Sequence, residues 1–354
     1  MPHLWITIAL LLGSAIVIYL SCELFVNGVE WVGAKLAVGQ KATGSILAAF
    51  GTALPESVVT LVAVAFGSAA GKELGVGAAL GGPLALSTIA YATVGICLIL
   101  YHQHLPKTAE IKADFRNLSR DQGWFLLIFA VKIAIGLIAF SWKPWLGILF
   151  LAAYALYVRQ EMSGHGGDEE GEREPLTFQR HAATPSTLIA LLQTGLALVV
   201  IFVASRTFVA QLEVLGPQLN LPPQLLALLL SPIATELPET MNAIIWVRQG
   251  KHRLALANIS GAMMIQATIP TAFGLFWTPW LLGAPLLLAA GITAIAVAIM
   301  FVAFRAGWIS RWLLAAMGLL YLVFAGLLVT LHLADRVPNA NRAPTQIERG
   351  APGE

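Results

Sequence analysis

Gly51-Thr52-Ala53-Leu54-Pro55-Glu56 and Ala234-Thr235-Glu236-Leu237-Pro238-Glu239 are two versions of one phrase, each set inside an apolar run long enough to cross a bilayer. A proline in a membrane helix removes an amide donor, and a glutamate there has to be desolvated, so both are costly where no water reaches. A single kinking proline or ion-paired glutamate is an ordinary structural feature. Two matched sets in one chain point to a function.

Outward from the two phrases the chain stays apolar, with 58% hydrophobic and 11% charged residues and a mean hydropathy of +0.77. A chain of 354 residues with so few charges cannot cover a soluble domain, so a polytopic protein of the lipid bilayer is expected. The net charge of +2 is near balance and the basic residues sit in short clusters between apolar runs, which gives nucleic-acid binding no support. Cys22 and Cys97 fall in apolar runs and read as small buried hydrophobes, with no metal-ligand spacing. The first apolar run, residues 4–24, lacks a basic leading segment and is long enough to span, which predicts a retained helix rather than a cleaved signal.

Against the roughly 20 residues that a helix needs to cross the hydrocarbon core, the apolar runs predict ten spans, at 4–27, 43–67, 74–101, 123–140, 142–158, 187–209, 222–247, 254–277, 280–304 and 310–333. The longest polar stretch, 159–186, contains Gly164-His165-Gly166-Gly167-Asp168-Glu169-Glu170-Gly171-Glu172-Arg173-Glu174 and reads as a flexible acidic cytoplasmic loop. The expected organisation is a first five-helix repeat (1–158), this loop, a second five-helix repeat (187–335) and a polar C-terminal tail (336–354).

A shift of 183 residues lays Phe25, Val26, Glu30, Gly33 and Leu36 on Phe208, Val209, Glu213, Gly216 and Leu219, and continues without a gap to Thr52, Leu54, Pro55 and Glu56 on Thr235, Leu237, Pro238 and Glu239. Further on the shift falls to 180, where Leu74, Gly81, Thr88 and Ile89 meet Leu254, Gly261, Thr268 and Ile269. Five is an odd number of spans, so the second repeat enters the membrane from the opposite side. The predicted fold is therefore an all-α polytopic membrane protein of about ten transmembrane helices, arranged as two inverted-topology five-helix repeats whose half-sites meet near the midplane. Fourteen of the 21 Lys and Arg residues lie on the side of the loops after spans 1, 3, 5, 7 and 9. Both termini are accordingly expected on the non-cytoplasmic side. Lys132 is left over, inside span 4.

Pro55 and Pro238 leave the carbonyls of Gly51 and Ala234 without a helical partner. With the side-chain oxygens of Thr52, Glu56, Thr235 and Glu239 these form a mirrored all-oxygen set containing two carboxylates, the composition that hard cations such as Ca²⁺ and Na⁺ prefer. Thiolate and imidazole are missing, which argues against zinc or copper. Two ionised carboxylates balance one Ca²⁺, or hold sodium ions or protons instead, so one site serves competing cations in turn. These ions are cargo, and no resident cofactor is expected.

With these residues the chain resembles the sodium/calcium exchanger family of the cation/calcium antiporter superfamily, in its bacterial or archaeal-type membrane region. The family's signature phrases are of the Gly-Thr-Ser-Leu-Pro-Glu kind, matched by residues 51–56 and 234–239. The Phe25-Val26 region, Gly33 and Gly44 are also similar, and the likeness covers essentially the whole membrane region. It implies antiport of Ca²⁺ against Na⁺ by alternating access around Glu56 and Glu239, with Thr52 and Thr235 lending oxygens.

The departures from the family bear on the coupling ion. The family also uses polar residues on the third and eighth spans, in Gly-Ser-Asn-Ile-Phe-Asn-like stretches. Here these read Gly81-Gly82-Pro83-Leu84-Ala85-Leu86 and Gly261-Ala262-Met263-Met264-Ile265-Gln266. The first has lost its carboxamide at Leu86, with Ser87 and Thr88 alongside as partial substitutes, and the second keeps one as Gln266. Glu236 stands where the first copy has Ala53 and shares a helical face with Glu239. Three crowded carboxylates cannot all stay ionised without a cation, so one is expected to take a proton, which keeps Ca²⁺/H⁺ antiport on the same fold as the alternative. Glu236 either lines the ion path or pairs with Lys132 or Arg206.

Glu23 maps onto Arg206 and Glu30 onto Glu213, positions where snorkelling or ion pairing is favoured over a gate. Asn258 is either a contributor to the ion path or an exposed amide at a helix start. The acidic loop residues lack EF-hand spacing and read as a solvated linker. An intramembrane hydrolase lacks a Ser/His or Cys/His pairing. A passive pore has no use for two inverted copies in one chain.

Overall fold

The computed structural model describes residues 2–35, 40–101, 114–163, 174–182, 184–219 and 221–336. Among them the chain is helical, with no strand. The predicted spans correspond to ten rods. The first repeat supplies α1 (Pro2–Lys35), α2 (Gln40–Phe66), a composite of α3 (Ala69–Ala85), a π-helical turn (Leu86–Ala90) and α4 (Tyr91–Leu100), then α5 (Phe115–Gly136) and α6 (Leu146–Ser163). The second supplies α7 (Thr187–Leu219), the pair α8 (Pro223–Thr235) and α9 (Leu237–Arg248), then α10 (His252–Trp277), α11 (Ala284–Arg305) and α12 (Arg311–Arg336). Among the described residues, six rods are long and apolar enough by themselves to cross a membrane.

The packing obeys the repeat. α1 lies against α7, α3 against α8 as α10 against α2, α4 against α12 as α10 against α6, and α5 against α11. Exchanging the repeats turns each pairing into another of the set or into itself, as a two-fold relation requires. Where α3 crosses α8 the backbones approach closely: a side chain at Gly77 would run into the carbonyl of Gln224, and one at Gly81 into Pro232 and the carbonyl of Leu228. Small residues one turn apart allow this approach, the usual route to close helix contact in a membrane. Large apolar side chains such as Leu12, Ile16, Leu192, Leu196, Leu319 and Leu322 point outward. Trp5, Trp142, Trp145, Trp308 and Trp312 are exposed near the ends of rods, as in an interfacial aromatic belt.

The fourth span differs from the expected 123–140. Asp114 caps α5 by accepting from the Asn117 amide at 3.2 Å, so the helix takes in the polar residues before 123. It ends at Gly136, where Leu282 of the second repeat packs, its amide donating to the Gly136 carbonyl at 3.1 Å. The fifth span likewise starts later, at Leu146. Between the two, the buried Lys143 ammonium donates to the carbonyls of Ile138 (2.7 Å), Pro279 (3.0 Å) and Trp280 (2.9 Å), so one cation ties the α5–α6 connection to the α10–α11 connection of the other repeat.

The acidic residues 168–172 of the central loop lie outside the described residues. Its C-terminal part is docked rather than free. Trp31 donates to the Glu174 carbonyl (3.0 Å), the Asn27 amide to the Pro175 carbonyl (3.2 Å), and the Thr177 amide to Asn27 Oδ1 (2.9 Å), with Leu176 buried beneath. Cys22 and Cys97 are buried free thiols.

Candidate ion site

The two phrases fold differently. α2 passes through Pro55 unbroken, whereas the second copy breaks: α8 ends at Thr235, Glu236 sits at φ −94° and ψ 4°, and α9 starts at Leu237. Pro232 distinguishes the second copy from the first. It and Pro238 remove amide donors on both sides of Glu236, while the first repeat has Ala49 where the second has Pro232. The break points the negative end of α8 toward the centre of the protein, and places Glu239 in the first turn of α9, where the helix dipole favours a carboxylate.

Glu56, Thr235, Glu236, Glu239 and Gln266 are all buried. Thr235 Oγ1 lies 2.6 Å from Glu56 Oε2, 3.0 Å from the Ser231 carbonyl and 3.2 Å from Glu236 Oε1. A hydroxyl has one proton to give, so Thr235 can serve only one of these oxygens. The other oxygen of Glu56 accepts from Thr60 at 3.4 Å. Gln266 Nε2 donates to both oxygens of Glu236, at 2.8 and 2.7 Å, leaving its buried Oε1 without a hydrogen-bond donor. Glu236 also interacts electrostatically with Glu239 and Glu56. Two carboxylates therefore face one hydroxyl, with a third near by and an unserved amide oxygen beside them. A cation relieves that repulsion and accepts those lone pairs.

Gly82 makes room for this cluster. A side chain there would meet Gln266 Oε1 at 2.8 Å and Glu236 Oε1 at 3.1 Å. Four residues on, the π-helical turn holds Leu86, Ser87, Thr88 and Ala90 buried. Ser87 and Thr88 direct their hydroxyls to the Leu84 carbonyl of their own helix, so their protons are committed locally. Among the described residues no three Asp, Glu, His or Cys side chains form a ready-made metal cluster. Hydroxyl, amide and carbonyl oxygens must complete any coordination shell.

Of the six residues singled out in the sequence, Glu56, Thr235, Glu236 and Gln266 are in direct contact and Glu239 is within electrostatic reach. Thr52 is carried by α2, and its side chain lies outside the described ones. Glu236 bonds to Gln266 and Thr235, not to the two basic residues weighed as partners: Lys132 donates to the Ala79 carbonyl at 3.0 Å, and Arg206 lies over the Phe66 ring at 5.9 Å. Asn258 is buried within α10 rather than exposed. Glu213 accepts from the amide and hydroxyl of Ser68 at 3.2 and 2.9 Å, closing the start of α3. Glu23 interacts with Tyr19 of its own helix. The role of Gly82 was missed in the sequence, since a second glycine beside Gly81 carries no local sign of what packs on it.

The sodium/calcium exchanger protein family matches residues 6–159 and 189–330, nearly the whole of both repeats. The chain belongs to this family. It is 26% identical over 281 residues to the inner membrane protein YrbG of Escherichia coli strain K12, covering 77% of this chain and 80% of that one. An uncharacterized membrane protein of Methanocaldococcus jannaschii is 22% identical over 247 residues, covering 70% and 74%. Among solved structures, the fold is similar to the H⁺/Ca²⁺ exchanger CAX (TM-score 0.66, 16% identity, 93% of this chain and 89% of that one). It is also similar to the sodium-calcium exchanger NCX_Mj (TM-score 0.57, 19% identity, 91% and 98%). These two are ten-span inverted-repeat transporters, and the chain shares that fold. As a member of the exchanger family it is an integral membrane protein of a transporter family rather than of an enzyme family.

Proposed function

We propose that the protein is a secondary active antiporter that moves Ca²⁺ in exchange for Na⁺ by alternating access, with Glu56 and Glu239 as shared ligands and Thr52, Thr235, Glu236 and Gln266 completing the site. The observation that carries this reading is the contact of Glu56 and Glu236 with the single hydroxyl of Thr235. Two buried carboxylates held around one proton are repulsive unless a cation joins them, and a hard cation matches an all-oxygen set. The repeats supply the movement: the same packing is available with their roles exchanged, so the site opens to one side and then to the other. The membrane is a cell (inner) membrane, with both termini on its non-cytoplasmic face.

Reconstituted vesicles test the proposal. Ca²⁺ uptake driven by an outward sodium gradient is expected in the wild type and is lost in Glu56→Gln and in Glu239→Gln. Full exchange in either variant would refute the site. Proton coupling is the second reading, favoured by Glu236, the carboxylate that has no counterpart at Ala53. Ca²⁺ flux driven by a pH gradient with no sodium present selects it.

A further inference from the structure

Lys132 lies in the apolar second half of α5 and is fully buried. Its Nζ is 5.1 Å from the Phe129 ring centre and 5.9 Å from that of Trp280, and it gives a hydrogen bond to the Ala79 carbonyl at 3.0 Å. Trp280 Nε1 in turn donates to the Lys132 carbonyl at 3.1 Å, which anchors this part of α5. A membrane lysine ordinarily extends its stem to carry the ammonium to water. Lys132 does the opposite, and among the described residues it has no carboxylate in ion-pair contact. Its charge acts instead on Glu56.

Its place along α3 links it to the rest of the site. Ala79 is three residues before Gly82, so both lie on one face of that helix. Gly82 is where Glu236 and Gln266 come against α3. Lys132 and Glu236 also break the repeat symmetry in opposite senses. Glu236 is a negative charge facing Ala53 in the alignment of the halves. Lys132 is a positive charge inside α5, whereas its counterpart α11 is uncharged until the terminal Arg305. With a cation bound and all four groups ionised, Glu56, Glu236 and Glu239 would contribute −3 and Lys132 +1, a sum of −2 that complements one divalent cation.

We infer that Lys132 is a fixed cation of the transport site, matched in charge to Glu236, and that it lowers the site's hold on a divalent ion to a level that permits release. This rests on the antiporter reading and assigns a specificity-determining residue to it. A positive charge beside a buried divalent ion repels it, and a repulsion of about 1.4 kcal/mol changes affinity by about tenfold. Removing Lys132 should therefore strengthen divalent binding, whereas damage to the fold would weaken it.

The test is equilibrium dialysis of radiolabelled Ca²⁺ against the purified full-length protein in detergent at neutral pH. Lys132→Met is expected to bind Ca²⁺ about tenfold more tightly than wild type. Glu236→Gln is expected to bind it more weakly, and Lys132→Met with Glu236→Gln to recover the wild-type affinity. The double variant keeps the site's net charge the same as in wild type, so the comparison of Glu236→Gln with the double variant carries the result if Lys132→Met alone does not fold. Wild-type protein that binds no Ca²⁺ overturns the antiporter reading. Wild-type binding combined with unchanged or weaker binding on loss of Lys132, in either background, overturns the role of Lys132 alone.

Discussion

Gly81 and Gly82 are adjacent, and alanine at each should fail in a different way. The Cβ of Gly82→Ala would sit 2.8 Å from Gln266 Oε1, 3.0 Å from its Cδ and 3.1 Å from Glu236 Oε1. The group in the way is the end of a flexible side chain, so the fold accommodates it. That amide, however, donates at 2.8 and 2.7 Å to the two oxygens of Glu236. Losing one hydrogen bond to a charged group costs about 1.5–3 kcal/mol, which is roughly a 10- to 100-fold change in an equilibrium constant. The Cβ of Gly81→Ala would instead meet Pro232 Cγ at 2.8 Å and the Leu228 carbonyl oxygen and Cα at 2.9 and 3.3 Å. This is the body of α8, which cannot swing aside, so overpacking of about 1–3 kcal/mol falls on stability. Thermal unfolding in detergent and the Ca²⁺ dependence of exchange in vesicles separate the two effects. Gly82→Ala should keep a near-wild-type midpoint and need more than tenfold higher Ca²⁺, while Gly81→Ala should lower the midpoint. A Gly82→Ala protein with unchanged Ca²⁺ dependence, or one that loses stability as Gly81→Ala does, refutes the reasoning.

Three other substitutions test neighbouring claims. Thr235→Val removes the donor 2.6 Å from Glu56, worth about 1.5–3 kcal/mol, and should raise the Ca²⁺ concentration for half-maximal exchange, whereas Thr235→Ser should largely retain it. Lys143→Met deprives the carbonyls of Ile138, Pro279 and Trp280 of their shared donor; the expected loss is about 3 kcal/mol of stability, seen as a lower unfolding midpoint with unchanged Ca²⁺ dependence in the folded fraction. Gln122→Leu leaves Tyr91 OH and Ser260 Oγ, each now 3.0 Å from its amide nitrogen, without that donor; a cost of about 1–3 kcal/mol should appear in the same unfolding measurement.

The spans, the repeat and the oxygen donors could be read from the chain because each is written locally. A length of apolar residues reports a rod, and a phrase repeated at a constant offset reports a second copy. Boundaries were less legible. The start of α5 depends on the Asp114 cap, and its end depends on Leu282, which arrives from the other repeat. The docked end of the central loop was hidden for a similar reason, since Asn27 and Trp31, which hold it, lie far away in α1.

By itself the sequence determined an all-helical membrane protein with two related halves and a paired set of buried carboxylates, because desolvation permits such residues in lipid only when something compensates them. Tertiary structure alone decided which groups meet. Glu56 reaches Thr235 across 179 residues, Glu236 reaches Gln266 across 30, and Lys132 spends its hydrogen bond on Ala79 across 53. It also decided that α2 continues through Pro55 while the second phrase breaks at Glu236. The reason is that helix crossings set these distances, and a crossing depends on which side chains of two remote rods interlock, a property with no period along the chain.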